Sequence, residues 1–121
     1  MIVAGFGFRA AADMAACKAA LALAQSGHPA VTALAAPHDK TALLAPLAAE
    51  LDLPLIAVTP EMLRSITTPT RSQFSLDARG TGSVAEAAAL AAVGDGASLL
   101  TRRHVSPNRM ATCAIAQGPA A

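Results

Sequence analysis

The sequence predicts an α/β fold of three layers, α/β/α, with a mixed sheet of about five strands that are mostly parallel. Short apolar runs alternate with Ala-rich helical runs through the first half of the chain, which is typical of parallel strands joined by helices. Two further apolar runs near the C-terminus are separated only by the polar segment RHVSPNR, which favours an antiparallel hairpin. The 121 residues suit one domain over residues 1–121.

The N-terminal half predicts a strand, a helix and a second strand. Residues 2–6 form a buried strand that ends in a turn at Gly5-Phe6-Gly7. Residues 9–26 contain no glycine or proline and predict a long helix, which Gly27 ends. Residues 31–35 predict the second strand, which Pro37 closes.

The middle of the chain predicts a second helix, a third strand and a short third helix. The second helix begins at Lys40 with Asp39 as its N-cap, and Pro46 predicts either a kink in it or a later start. Residues 53–58 form the third strand; because Pro54 cannot donate a ladder hydrogen bond, it marks an edge position or the first residue of the strand. Residues 60–66 form a short helix capped by Thr59.

The C-terminal half predicts a loop, a helix and the hairpin. Residues 67–74 are polar and predict a loop. Residues 83–93 form a helix ended by Gly94, and residues 98–102 and 110–116 form the two hairpin strands.

Composition excludes several classes of protein. A net charge of +1 and three aromatic residues argue against nucleic-acid binding, and charges or prolines interrupt each apolar run before it could span a membrane. The N-terminus lacks the basic region of a signal peptide, so we expect a cytoplasmic protein. Two cysteines in apolar surroundings predict inert core thiols, and the three histidines lack metal-ligand spacing.

Glu86 has two interpretations. Ser83-Val84-Ala85-Glu86 fits a capping box, in which the Ser83 hydroxyl accepts from the Glu86 N–H and the Glu86 side chain accepts from the Ser83 N–H. This role alone explains the residue, but a catalytic carboxylate is the alternative.

Two glycine-rich turns stand before helices. Gly80-Thr81-Gly82 and Gly5-Phe6-Gly7 each let the backbone approach a ligand, and the N–H groups of a following helix favour an anion. The second turn lacks the third glycine of a dinucleotide fingerprint, which argues against nucleotide binding.

Basic residues follow several of the predicted strands. Arg9 and Lys40 come directly after the first two strands, so both can line one crevice at the carboxyl ends of the sheet. Arg79 and Arg109 are interpreted as solvated surface residues. His38 and Asp39 can form a base and its orienting acid, although Asp39 is favoured as a helix cap.

Four segments resemble, in chain order, the CobE family of cobalamin biosynthesis proteins and the C-terminal domain of CbiG, the cobalt-precorrin hydrolase of the anaerobic pathway. They are VAGFGFR; LAAPHDK, with Lys40 on the family lysine; PTRS, followed by Gly80 and SVAEAAAL; and LLTRR with MATCAIA. Phe8 stands where many relatives carry cysteine.

The resemblance implies a protein of cobalamin biosynthesis that binds or acts on a precorrin, a carboxylate-rich corrin-ring intermediate of the aerobic pathway. The alternative is an enzyme that hydrolyses or rearranges a lactone-bearing precorrin. Other enzymes of the pathway are further candidate partners, and we expect no metal or cofactor. Glu86 and Lys40 are the candidate catalytic residues. The candidate substrate-binding residues lie at the turns and helix starts or carry positive charge: Gly5, Gly7, Arg9, Lys40, Ser72, Gly80, Gly82, Ser83 and Arg102.

Overall fold

A mixed sheet of five strands forms the centre of the structure. The computed structural model describes residues 1–119, apart from the side chains of Phe74 and Ala78. The strands lie in the order β3-β2-β1-β5-β4 and are β1 (Ile2–Phe8), β2 (Ala33–Pro37), β3 (Leu55–Val58), β4 (Ser98–Val105) and β5 (Ala111–Gln117). Strands β1, β2 and β3 are parallel, and β5 is antiparallel to both β1 and β4. The predicted α/β class and mixed sheet are confirmed.

Helices cover both faces of this sheet. They are α1 (Met14–Gln25), α2 (Thr41–Leu51), α3 (Pro60–Ser65), α4 (Gln73–Arg79) and α5 (Val84–Val93), with a single 3₁₀ turn at His38–Lys40. Because neighbouring side chains of a strand point to opposite faces, Phe6 packs with α1 and α2 while Val3 packs with α3 and α5. No helix in residues 1–119 is long and apolar enough to cross a membrane.

The turn predicted at Gly5-Phe6-Gly7 is wrong, because both glycines lie within β1. This strand pairs along its whole length with β5, from Ile2 opposite Gln117 to Phe8 opposite Ala111. A Cβ atom at Gly5 would overlap the backbone of Ala85 and Ala89. Gly5 is therefore the position at which α5 lies directly against the central strand.

Helix α1 begins five residues later than predicted. The Asp13 side chain accepts a hydrogen bond from the Ala16 N–H at 2.9 Å and so caps the helix from inside the Ala-rich run. Residues 9–13 instead form a connection beyond the end of β1. Arg9 therefore belongs to this connection and not to the first turn of a helix.

The N-cap predicted for α2 is also wrong. Lys40 occupies the N-cap position of that helix, and no side chain caps it. Asp39 lies in the preceding 3₁₀ turn, where its carboxylate pairs with the guanidinium of Arg79. The extra 3₁₀ turn moves Asp39 away from the first N–H groups of α2. Asp39 therefore joins this turn to Arg79 and does not cap α2.

The loop predicted over residues 67–74 ends early because α4 begins at Gln73. The Ser72 hydroxyl accepts from the Ser75 N–H at 3.4 Å, and Gly80 ends the helix in the left-handed conformation with φ +71°. Both residues, the serine cap and the terminating glycine, are signals that the sequence contains. The helix is seven residues long and connects α3 to α5.

Both cysteines are buried on the α1 side of the sheet and neither forms a disulfide. Burial and, to a lesser degree, the charge of Asp13 raise the pKa of the Cys17 thiol to about 11. Burial also raises the pKa of Cys113. Both thiols stay protonated at neutral pH, which agrees with their interpretation as core residues.

Candidate functional site

A pocket of about 570 Å³ opens where β1 and β2 end at the edge of the sheet. In parallel α/β sheets this edge is where ligands usually bind. The end of β4, the hairpin before β5, and the starts of α2, α4 and α5 complete its walls. Its lining combines Gly7, Phe8 and Arg9 of the first strand end with residues from seven other segments, so the fold assembles this pocket from the whole length of the chain.

Cationic side chains dominate the pocket. Among the described residues that line it there is no acid, while five are basic: Arg9, Lys40, Arg79, Arg103 and Arg109. These charges are local, because the chain as a whole carries a net charge of only +1. A pocket of this kind favours ligands with several negative groups.

The pocket lining also contains apolar side chains. They are Phe8, Val84, Val105 and Met110. The Lys40 ammonium lies 5.9 Å from the centre of the Phe8 ring, at the outer limit of a cation–π contact. The pocket therefore offers apolar surface beside its positive charge.

Four of the predicted binding residues line this pocket: Gly7, Arg9, Lys40 and Ser72. Gly7 allows Thr112 and Val84 to pack closely against β1, since a Cβ there would lie 3.0 Å from Thr112 Oγ1 and 3.1 Å from Val84 Cβ. Ser72 reaches the pocket as the N-cap of α4.

The Glu86 carboxylate lies outside the pocket lining and is fully buried. Its Oε1 accepts from the Thr70 N–H at 2.9 Å, and its Oε2 accepts from the Thr70 hydroxyl at 2.6 Å and the Arg103 N–H at 2.9 Å. Three donors thus compensate a carboxylate that has lost its water.

These contacts correct the interpretation of Glu86. The Ser83 hydroxyl does accept from the Glu86 N–H, at 3.3 Å, so the serine half of the capping box is confirmed. The other half is wrong, because the carboxylate accepts from Thr70 and Arg103 and not from Ser83. The carboxylate is fully buried and does not line the pocket.

Glu86 instead positions two parts of the pocket wall. The ladder between β4 and β5 is irregular from Thr101 to His104, and within this irregularity the Arg103 N–H turns to Glu86. Such bulges redirect side chains. On its other side, Glu86 fixes the loop at Thr70, which leads directly into Ser72.

Arg102 is one of the predicted binding residues. Arg102 is exposed and lies outside the pocket lining, whereas its neighbour Arg103 lines the pocket together with Val105. Residues two apart on a strand share a face. From the sequence, Arg102 and Arg103 are expected on opposite faces of the strand, but the sequence does not show which face lines the pocket.

Four other predicted binding residues lie outside the pocket lining and have structural contacts instead. Gly5 receives α5, as described above, and Gly80 ends α4. Gly82 admits the loop before α4, since a Cβ there would lie 2.6 Å from the Thr70 carbonyl oxygen. The buried Ser83 caps α5.

Arg79 and Arg109, interpreted from sequence as solvated, both line the pocket. Arg79 forms two hydrogen bonds to the carboxylate of Asp39, at 2.9 and 3.0 Å. Chiefly through these bonds, Arg79 holds the pKa of Asp39 below its ordinary value of 3.8. Within the described part of the chain, no group of three or more His, Cys, Asp or Glu side chains is placed to hold a metal ion.

The chain matches one protein family over nearly its whole length. The family model is described as cobalamin synthesis G C-terminus, and it matches residues 2–116. The chain belongs to this family of cobalamin biosynthesis proteins.

Solved structures agree with membership of the cobalamin synthesis G C-terminal family. CobE, a protein from the cobalamin (vitamin B12) biosynthetic pathway, is 30% identical with a TM-score of 0.84, over 96% of this chain and 89% of CobE. The cobalamin biosynthesis protein chiG from Agrobacterium tumefaciens str. C58 is 36% identical with a TM-score of 0.74, over 98% of both chains.

A cobalamin biosynthesis protein G homolog from Sulfolobus solfataricus shares the fold, with a TM-score of 0.72 at 20% identity; this chain is covered over 95% and the homolog over 36%. No curated protein sequence matches the chain significantly.

The segments that carry the family likeness meet at the pocket. VAGFGFR contributes Gly7, LAAPHDK contributes Lys40, PTRS contributes Ser72 and LLTRR contributes Arg103. SVAEAAAL contributes Val84 directly and acts indirectly through the buried Glu86. In this protein, the segments that resemble the family therefore form the cationic pocket and α5, the helix that packs behind it.

Proposed function

We propose that this cobalamin biosynthesis protein binds a precorrin-type tetrapyrrole, a corrin-ring intermediate of the aerobic pathway, in the pocket at the ends of β1 and β2. The observation that carries the proposal is the set of five basic side chains beside apolar ones, with no acid among the described lining residues; of the five, Arg79 is already paired with Asp39. A precorrin combines the two matching features, since acetate and propionate carboxylates surround its macrocycle.

The charge arrangement explains why such a ligand would suit the pocket. A single charge contact near solvent supplies about 0.3–1 kcal/mol. One carboxylate would therefore bind weakly, whereas several carboxylates on one rigid ring engage several cations for a single loss of translational freedom. The side chains of Phe8 and Met110 would contact the ring face.

Binding is favoured over hydrolysis of a lactone. Of the two candidate catalytic residues, only Lys40 lines the pocket, and Glu86 is enclosed by its three donors. A general base must reach the proton that it removes. No described carboxylate meets this condition in the pocket.

The test is a titration of the protein with precorrin intermediates, followed by the visible spectrum of the ring. We expect saturable binding without turnover. Arg103→Gln should weaken binding about two- to fivefold, as expected for the loss of one charge contact near solvent. Arg102→Gln is the matched control, because it removes the same charge one residue away on the exposed side.

Three outcomes would contradict the proposal. They are an unchanged spectrum with every precorrin, equal weakening by Arg102→Gln and Arg103→Gln, and release of a modified ring at a rate that depends on protein concentration. The last result would support the hydrolytic alternative.

A further inference from the structure

Arg109 has an unusual backbone conformation for an arginine. Its φ angle is +60°, and only one other non-glycine residue in residues 1–119 has a positive φ, Asp52 at +56°. This left-handed region brings Cβ close to the backbone and is normally left to glycine, asparagine or aspartate. Arg109 follows Ser106-Pro107-Asn108 in the hairpin, where a three-residue connection usually ends in glycine.

The surrounding hairpin imposes this conformation. The Arg109 N–H donates to the Ser106 carbonyl at 2.8 Å, which closes the turn. The buried Ser106 hydroxyl accepts from the N–H groups of Met110 and Ala111, at 3.2 and 3.1 Å. Strained residues persist where neighbours fix them in this way, and they concentrate at functional sites.

The side chain at this strained position lines the pocket. The Arg109 carbonyl oxygen also accepts from Arg9 Nε at 3.3 Å, so the turn orients a second cation. Among the described residues, none carries a carboxylate that pairs with the Arg109 guanidinium; the ion pairs there are Lys18–Glu50, Arg64–Glu61 and Arg79–Asp39. A glycine would relax the turn but would remove this charge.

We infer that Arg109 is a carboxylate-binding residue of the pocket, kept in a left-handed conformation at the expense of stability because a guanidinium is needed there. The inference rests on the proposed function, in that both place an anionic ligand in this pocket. It adds a residue that the sequence analysis treated as surface, and it predicts opposite changes in stability and affinity for one substitution.

Two variants separate the charge from the backbone. Arg109→Ala removes the guanidinium and keeps a Cβ, while Arg109→Gly removes the guanidinium and relaxes the turn. Arg109→Gly should melt roughly 2–5 °C above Arg109→Ala. Both variants should bind a polycarboxylate about two- to fivefold more weakly than the unaltered protein.

Asp52→Gly is the matched control. Asp52 ends α2 at the left-handed C-cap position and does not line the pocket. This substitution relaxes the same backbone strain without touching a pocket cation, so it should leave affinity unchanged. Equal melting temperatures for Arg109→Gly and Arg109→Ala would overturn the strain half of the inference.

Two probes distinguish this inference from the proposed function: precorrin intermediates, and tricarballylate alone, a small tricarboxylate that can reach the same cations. If precorrins bind and the Arg109 variants bind them as tightly as the unaltered protein does, the inference fails and the proposed function stands. If tricarballylate binding depends on Arg109 but precorrins do not bind, the proposed function fails and the inference stands. If neither precorrins nor tricarballylate bind, both the proposed function and the inference are overturned.

Discussion

At the scale of single residues, the carboxylate of Glu86 links α5 to the loop before α4 and to β4. It accepts hydrogen bonds from two backbone N–H groups and one hydroxyl group, in a site without solvent. Replacing one of its acceptor oxygens by a donor should destabilise the fold, because a buried donor without a partner costs free energy. The consequences of this geometry extend to Ser72 and Arg103, which Glu86 holds at the pocket.

Glu86→Gln tests this role. Glutamine keeps the backbone N–H that bonds to Ser83, but its amide nitrogen must face either the Thr70 N–H or the Arg103 N–H. One buried backbone donor therefore loses its acceptor, which should lower the free energy of unfolding by about 1–3 kcal/mol. Urea denaturation measures this change.

Glu50→Gln provides the comparison for that measurement. Glu50 pairs with Lys18 at the surface, with half of its side chain exposed, so its loss should cost less than about 1 kcal/mol. If Glu86→Gln and Glu50→Gln have equal effects, the hydrogen bonds of Glu86 are not the links described above.

At the scale of elements, the pair of Asp39 and Arg79 joins the 3₁₀ turn after β2 to the C-terminal end of α4. This pair holds α4 beside the pocket, where Ser75 and Arg79 of that helix line the wall. Asp39 is about half exposed, so solvent screens the pair and its contribution to stability is modest.

The pH dependence of Asp39→Asn follows from the lowered pKa of Asp39. Because the folded protein binds this proton less readily than the unfolded chain, the pair stabilises the fold fully above the ordinary pKa of 3.8 and loses this effect as pH falls through the lower folded value. Asp39→Asn should therefore be less stable by about 0.5–1 kcal/mol at pH 7, and this gap should close as the pH falls below 3.8. Urea unfolding at several pH values measures the gap, and a gap that persists at the acid end would contradict the pairing.

Element boundaries show where sequence reasoning succeeds and where it fails. Local signals identified α3 and α5 well, because Thr59 and Ser83 are side-chain caps next to clear helical runs. The start of α1 was missed because Asp13 lies inside an unbroken run, where helix propensity alone favours continuing the helix. The glycines of β1 were assigned to a turn because the close approach of α5, a long-range contact, is invisible in local sequence.

At the scale of the whole molecule, the fold class follows from the order of elements, while the pocket depends on which faces of distant elements meet. Arg9 and Lys40 were found because residues that follow parallel strands share one edge of the sheet. Arg102 was preferred to Arg103, and Arg109 was interpreted as a surface residue, because the irregular ladder of β4 and the hairpin turn set the directions of these side chains. The family resemblance identified the right segments, and only the assembled structure separates residues that line the pocket from those that support it.

Amide chemical-shift mapping by NMR with a bound precorrin locates the ligand on the molecule. The largest shifts are expected at the pocket, at Gly7, Lys40, Arg103 and Thr112. The groove between α1 and α2, which Leu21 and Leu51 line, should remain unchanged. Shifts concentrated in that groove, with the pocket amides unmoved, would contradict the assignment of the cationic pocket as the tetrapyrrole site.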